Sequence, residues 1–283
     1  MKRLIRIEFV ALFFLLSGFL SAQENRPKFQ VDYNEIKGEL TAKDQFKKDF
    51  GRYKGFEIEL YEGELVNFVV FSKSFQPGIA LVKPQGEIFK QSPGDGNGYA
   101  NIITSVPASG NWIVYVVGKG NSSGKYQFQT SIAEPNALAL DSTADFCTSL
   151  EFLIAHSNAY FYLLENAIEK KSEKVWLKDA LDEFFDEDDG SYNALYYGGN
   201  GSAKAENVFK SMSNKISACL GNDWQAKTVN WKKTDDYKGK SVTFTEKSND
   251  KPRYVKVSVY DMQGSKQKYQ NRFEVYVQIN RKR

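Results

Sequence analysis

The chain has 283 residues, with 38 Lys and Arg against 35 Asp and Glu, one His and two Cys. A hydrophobic share of 41%, with aromatics at 14%, excludes a disordered chain, which lacks the apolar surface to bury. One His argues against mechanisms built on a His pair, and two Cys exclude a four-Cys zinc site and a disulfide-dense scaffold.

The length suggests two domains. Residues 1–22 read as an export signal. Lys2, Arg3 and Arg6 precede an apolar run from Phe9 to Leu16, and a small-residue stretch ends at Leu20-Ser21-Ala22. The alternative is an uncleaved anchor, but the apolar run of about 12 to 14 residues is shorter than the roughly 20 that span a bilayer. No later segment is apolar enough to cross a membrane, so no integral membrane segment is expected after cleavage. Removing three basic residues and Glu8 leaves 35 positive against 34 negative charges, a net of +1. The basic excess therefore belongs to the signal, and nucleic acid is not an expected partner. The expected location is the periplasm or exterior of a bacterium.

Residues 30–133 read as short strands between turns. Phe56 to Leu60 alternates apolar and polar. Leu65 to Phe71 is apolar except for Asn67, as in a strand buried on both faces. Ile79–Val82, Ile102–Val106, Trp112–Val117 and Tyr126–Ile132 follow, punctuated by Gly and Pro turns. Strands at this spacing predict an all-β sandwich or jelly roll. Trp112 and Tyr126 fall on inward positions.

In this stretch Phe56-Glu57-Ile58-Glu59-Leu60-Tyr61-Glu62-Gly63-Glu64-Leu65-Val66 leads to Ser72-Lys73-Ser74-Phe75 and then Pro84-Gln85-Gly86. Pro107-Ala108-Ser109-Gly110-Asn111-Trp112 and Gly124-Lys125-Tyr126-Gln127-Phe128 close the pattern. In order and spacing this half resembles the bacterial pre-peptidase C-terminal domain. Gln76 and Trp112 depart from that pattern, where Asp and Tyr are usual. The resemblance implies a non-catalytic β-sandwich of the kind appended to secreted enzymes, serving binding or maturation. The Gly94-Asp95-Gly96-Asn97 turn has one carboxylate, so no calcium is expected there.

Residues 134–143 read as a linker and 144–283 as an α+β domain. Ser142 or Thr143 is the candidate N-cap of a helix whose apolar face runs from Phe146 to Ile168. A shorter helix is expected over Val175–Phe185, and a long one over Ala203–Leu220. After Gly221 the period becomes two, with strands around Val229–Trp231, Val242–Phe244, Val255–Val259 and Phe273–Ile279. Strands apolar on one face predict a four-stranded antiparallel sheet carrying the helices.

Cys147 opens one predicted helix and Cys219 closes another, so antiparallel packing would join them in an oxidising compartment; two separate buried thiols are the alternative. His156 lies on the shoulder of its helix stripe and reads as a packing residue. No catalytic residues and no cofactor are expected. Asp186, Asp188 and Asp189 stand in an acidic run that is either a solvated end or a weak, non-EF-hand calcium site; counting from Asp186, position five is Gly190 and position twelve is Tyr197, which breaks the EF-hand register. Tyr192, Tyr196 and Tyr197, in a Gly-rich stretch read as a loop, are the candidate contact surface for a protein, cell-surface or carbohydrate ligand; the alternative is that they tuck into the domain's core. The functional expectation is an exported, non-catalytic binding or accessory protein. The runner-up is a secreted hydrolase, or hydrolase accessory, using carboxylates in the C-terminal domain.

Overall fold

The computed structural model describes residues 29–164, 176–186, 189–234, 237–247, 250–263 and 272–282. The predicted export signal and Asp188 lie outside the described residues.

In the N-terminal half the strands are β1 (Val31–Leu40), β2 (Gln45–Lys47), β3 (Gly51–Leu60), β4 (Leu65–Phe71), β5 (Pro77–Val82), β6 (Ile88–Ser92), β7 (Tyr99–Ser105), β8 (Gly110–Gly118) and β9 (Gly124–Ala133). They form two antiparallel sheets, ordered β1-β9-β4-β7 and β2-β3-β8-β5-β6. Alternation decides what each sheet contributes. Val66, Phe68 and Val70 of β4 and Tyr126 and Phe128 of β9 point inward from the first sheet. Ile79, Leu81, Trp112, Val114 and Val116 meet them from the second. Trp112 also satisfies its indole, donating to Ala108 O at 3.1 Å. Gly124 is required: its φ is 138°, and a Cβ there would lie 2.4 Å from Ser74 Cβ.

The C-terminal half contains α1 (Phe146–Ser157), β10 (Asp182–Asp186), β11 (Ser191–Gly199), α2 (Ser202–Leu220), β12 (Trp224–Lys233), β13 (Lys238–Glu246), β14 (Arg253–Asp261) and β15 (Phe273–Arg281). The sheet here has six strands, ordered β10-β11-β15-β14-β13-β12, and not the expected four. The two extra strands fall where a short helix and a loop were expected. The end of the expected Val175–Phe185 helix instead lies in β10, where Phe184 and Phe185 suit a strand and residues 182–186 pair with β11.

The first helix is capped by Asp145, whose side chain accepts from Thr148 N at 2.7 Å, in place of Ser142 or Thr143. It stops at Ser157, helical structure resumes at 162–164, and Ile168 lies outside the described residues. Tyr160 and Phe161 take φ of 49° and 61°, which no α-helix continues through.

Both helices pack on one face of the six-stranded sheet. Cys147 and Cys219 are joined in a disulfide with Cα atoms 5.2 Å apart, tying the start of α1 to the end of α2. The apolar cluster beneath the helices does not stop at the expected linker. Phe29, Val31 and Ala133 of the N-terminal half and Ala137 of the linker belong to it. The Phe29 ring meets Phe152 edge-on at 5.2 Å, and Tyr33 meets Tyr160 at 5.2 Å. Such pairs add about 0.5–1.5 kcal/mol each beyond the area they bury.

Candidate binding groove

The outer face of β1-β9-β4 has two ends with different fates. The registers pair Val31 with Ala133 and Leu65 with Ala133, and this end lies against the helical half. The other end is left open to solvent. There Lys37 pairs with Gln127, Glu35 with Gln129, and Phe71 with Gln127. This open end forms a groove of about 1070 Å³.

The groove's wall is built by local hydrogen bonding. Ser72 Oγ donates to Lys125 O at 2.9 Å and accepts from Ser74 N at 3.0 Å, which ties the turn after β4 to β9. Ser72 N donates to Gly98 O at 2.9 Å, bringing the Gly-rich loop and Asn97 alongside. Phe71 is 44% exposed and stands edge-on to Tyr99 at 5.0 Å. Lys37, Lys73 and Lys125 against Glu39 give the lining a positive balance.

Tyr126 reaches the groove from beneath. Its ring fills the place of a side chain at Gly38, where a Cβ would lie 2.5 Å from the ring. Its hydroxyl is buried and has no hydrogen-bond partner among the described residues. Burial pushes this phenol up to about 12, with the Asp44 carboxylate adding to the effect, so it is a donor at any physiological pH. The lining therefore offers amides, ammonium groups and one exposed aromatic ring. Sequence reasoning placed Tyr126 in the core and did not find the groove. The outward residues Gln127 and Gln129 look like ordinary solvated strand positions.

The three sequence-selected tyrosines lie on β11, not in a loop. Tyr192 is fully buried and Tyr197 is buried. A β-bulge between Leu195 and Tyr197 shifts the alternation, so Tyr196 and Tyr197 both turn to the side of the helices. Tyr196 lies near Phe146, with ring centroids 6.4 Å apart, and donates to Lys178 O at 2.7 Å. The three side chains therefore form no joint exposed patch. Asp186 ends β10 and Asp189 lies in the following turn, where Asp189 Oδ2 accepts from Gln278 and Asp189 O from Asn280.

Two titratable groups with perturbed surroundings lie in the helical half, Glu183 half-buried and His156 buried. Glu183 Oε2 accepts from Tyr192 Oη at 2.5 Å and from Trp176 N at 2.8 Å. Burial raises the Glu183 pKa, while these bonds oppose the rise. His156 is held at Ala137 O, 2.7 Å away. Both carry altered pKa values in a packing role. Among the described residues no three His, Cys, Asp or Glu side chains gather as a metal-binding group.

No protein-family model matches the chain, and no curated protein matches it by sequence. Several solved structures are similar to parts of it. A periplasmic inhibitor of g-type lysozyme from Aeromonas hydrophila is 16% identical, over 36% of this chain and 87% of that one, at a TM-score of 0.29. The pre-peptidase C-terminal domain of a collagenase from Bacillus anthracis is 16% identical, over 35% of this chain and 89% of that one, at 0.27. A Bacillus licheniformis lipase in its propeptide form is 12% identical, over 84% of this chain and 42% of that one, at 0.26.

Proposed function

We propose that this chain is an exported, non-catalytic binding protein that holds an extended, acidic polysaccharide in the groove on the outer face of β1, β9 and β4. The observation that carries the reading is the open end of that face, where Phe71 is 44% exposed beside Lys37, Lys73 and Lys125. Gln127 and Gln129 supply further donors and acceptors along the floor, and Phe71 offers an exposed face for a sugar ring. The lysine excess favours a ligand with carboxylates. Export is supported by the pattern of residues 1–22 and by the disulfide. The resemblance of the N-terminal half to the pre-peptidase C-terminal domain agrees with an accessory role.

The test is calorimetric binding of alginate, with neutral dextran as the comparison. Alginate is expected to bind and dextran to bind far more weakly, with affinity falling as salt rises. Lys125→Glu should lower alginate affinity about tenfold while leaving the fold unchanged, because Lys125 is exposed in the groove lining. Phe71→Ala should lower affinity without changing the fold. Wild-type affinity in both variants would overturn the reading.

A further inference from the structure

Among the described residues the six-stranded sheet has two edges, β10 and β12, each with a strand on one side only. After Trp224 every β12 residue is exposed, so this edge is open to solvent on both faces. Long open edges of this kind are templates for pairing, unless charge prevents it.

The registers fix which side chains share the face away from the helices. Across the sheet, Phe185, Tyr192, Ile279, Val255 and Phe244 are successive partners on the helix side. The opposite face of β10 therefore shows Asp182, Phe184 and Asp186. On β12 that face shows Lys227 and Val229, opposite Thr243 and Ser241. A bulge then inserts one residue, so the next outward side chain is Lys232, opposite Gly239. One edge thus reads acid, aromatic, acid, and the other base, apolar, base. The central residues Phe184 and Val229 are 49% and 41% exposed.

Strand direction completes the match. Five antiparallel junctions separate β10 from β12, so the two edges run in opposite directions. A second copy displaced along the sheet presents its β10 antiparallel to β12, with its helices on the same side.

We propose that copies of this chain join edge to edge, β10 of one copy adding to β12 of the next, as a continuous antiparallel sheet. Asp186 then faces Lys227 of the next copy, Phe184 faces Val229, and Asp182 faces Lys232. Like edges reject each other, because β12 on β12 sets lysines together and β10 on β10 sets carboxylates together. The contact is heterologous, so it leaves an unused edge at each end and growth stays open. An overlap of five residues is small beside the roughly 1,200–2,000 Å² of stable interfaces. Association is therefore weak in solution and strengthens where many copies share a surface.

Sedimentation velocity from about 10 μM to 1 mM reads the weak-affinity range. The expected result is a mean mass that rises with concentration and falls with added salt. Asp186→Lys and Lys227→Asp alone should each weaken association about tenfold, since an attractive pair becomes repulsive. Mixing the two variants should restore it, because each new charge meets its opposite on the other variant. Asp182→Lys with Lys232→Asp repeats the exchange should either first variant fail to fold by circular dichroism. A wild type that is monomeric at 1 mM overturns the proposal. So does wild-type association in Asp186→Lys, which would mean that β10 takes no part.

Discussion

His156 donates from Nε2 to the main-chain oxygen of Ala137 at 2.7 Å, fastening the end of α1 to the segment that joins the two halves of the chain. A carbonyl can only accept, so the proton sits on Nε2. Nδ1 is buried with no hydrogen-bond partner among the described residues. Burial pulls the pKa down to about 4, against the raising effect of the Ala137 bond.

This gives a pH dependence of definite sign. The unfolded chain takes up a proton on His156 near pH 6.5, and the folded chain does so only near 4. Stability is therefore fully present above pH 6.5 and falls as the pH drops toward 4. At 1.36 kcal/mol per unit the loss is at most about 3 kcal/mol. His156→Gln keeps an amide donor and cannot titrate. Urea midpoints at pH 7, 5.5 and 4 should fall less steeply in the variant. An identical slope would place the acid sensitivity elsewhere.

The disulfide closes a loop with a sequence separation of 72 between Cys147 and Cys219. On the chain-entropy account such a loop contributes about 4 kcal/mol. A Cys147→Ala/Cys219→Ala variant should lose that much in urea unfolding, and reductant should move the wild type by the same amount. A reductant shift in the wild type with none in the double variant isolates the bridge as the cause.

Much of the sandwich was legible because its strands alternate or run apolar between Gly and Pro turns, as Phe56–Leu60 and Leu65–Phe71 do. The disulfide was legible because both sulfurs sit at helix ends, which packing brings together. What failed was β11. Gly198, Gly199 and Gly201 signal a loop by composition, yet at 199 and 201 the reason is packing. A Cβ at Gly199 would lie 2.8 Å from Tyr197 Oη, and that hydroxyl accepts from Gly201 N at 3.1 Å. The missing side chains make room for a tyrosine folded back along its own strand, and single-residue propensity carries no such information. The groove was hidden for a related reason. It depends on which end of a sheet face the second half covers, and that is a tertiary fact.

Tyr192 links the Glu183 carboxylate to the Leu177 amide. It donates to Glu183 and accepts from Leu177 N at 3.1 Å. Tyr192→Phe leaves the Leu177 amide without this acceptor and removes a donor from a half-buried carboxylate, at a cost of about 2 kcal/mol. Glu183 has a raised pKa from burial, so the unfolded chain releases its proton first and stability falls as pH rises past the ordinary carboxylate range. Losing the hydroxyl deepens that effect. The variant's deficit in urea unfolding should be larger at pH 7 than at pH 4, and a deficit independent of pH would mean that the carboxylate is not involved.

Val31 is the residue that tests whether the two halves unfold together. It opens β1 of the sandwich, yet its side chain lies in the cluster beneath α1 and α2. Asn158, just after α1, donates to Val31 O at 3.1 Å, and Arg281 of β15 donates to Asn158 O at 2.7 Å. Val31→Asp buries a charge with no partner in that cluster, which costs several kcal/mol. If the halves are coupled, hydrogen exchange should quicken across α1, Phe146–Ser157, although the substitution lies in the other half. The inner core around Phe68 and Trp112 should keep more of its protection, because neither residue touches the Val31 cluster. Unchanged exchange in α1 would show that the sandwich end only rests on the helical half. In that case the linker, and not this shared cluster, would set how the halves are joined.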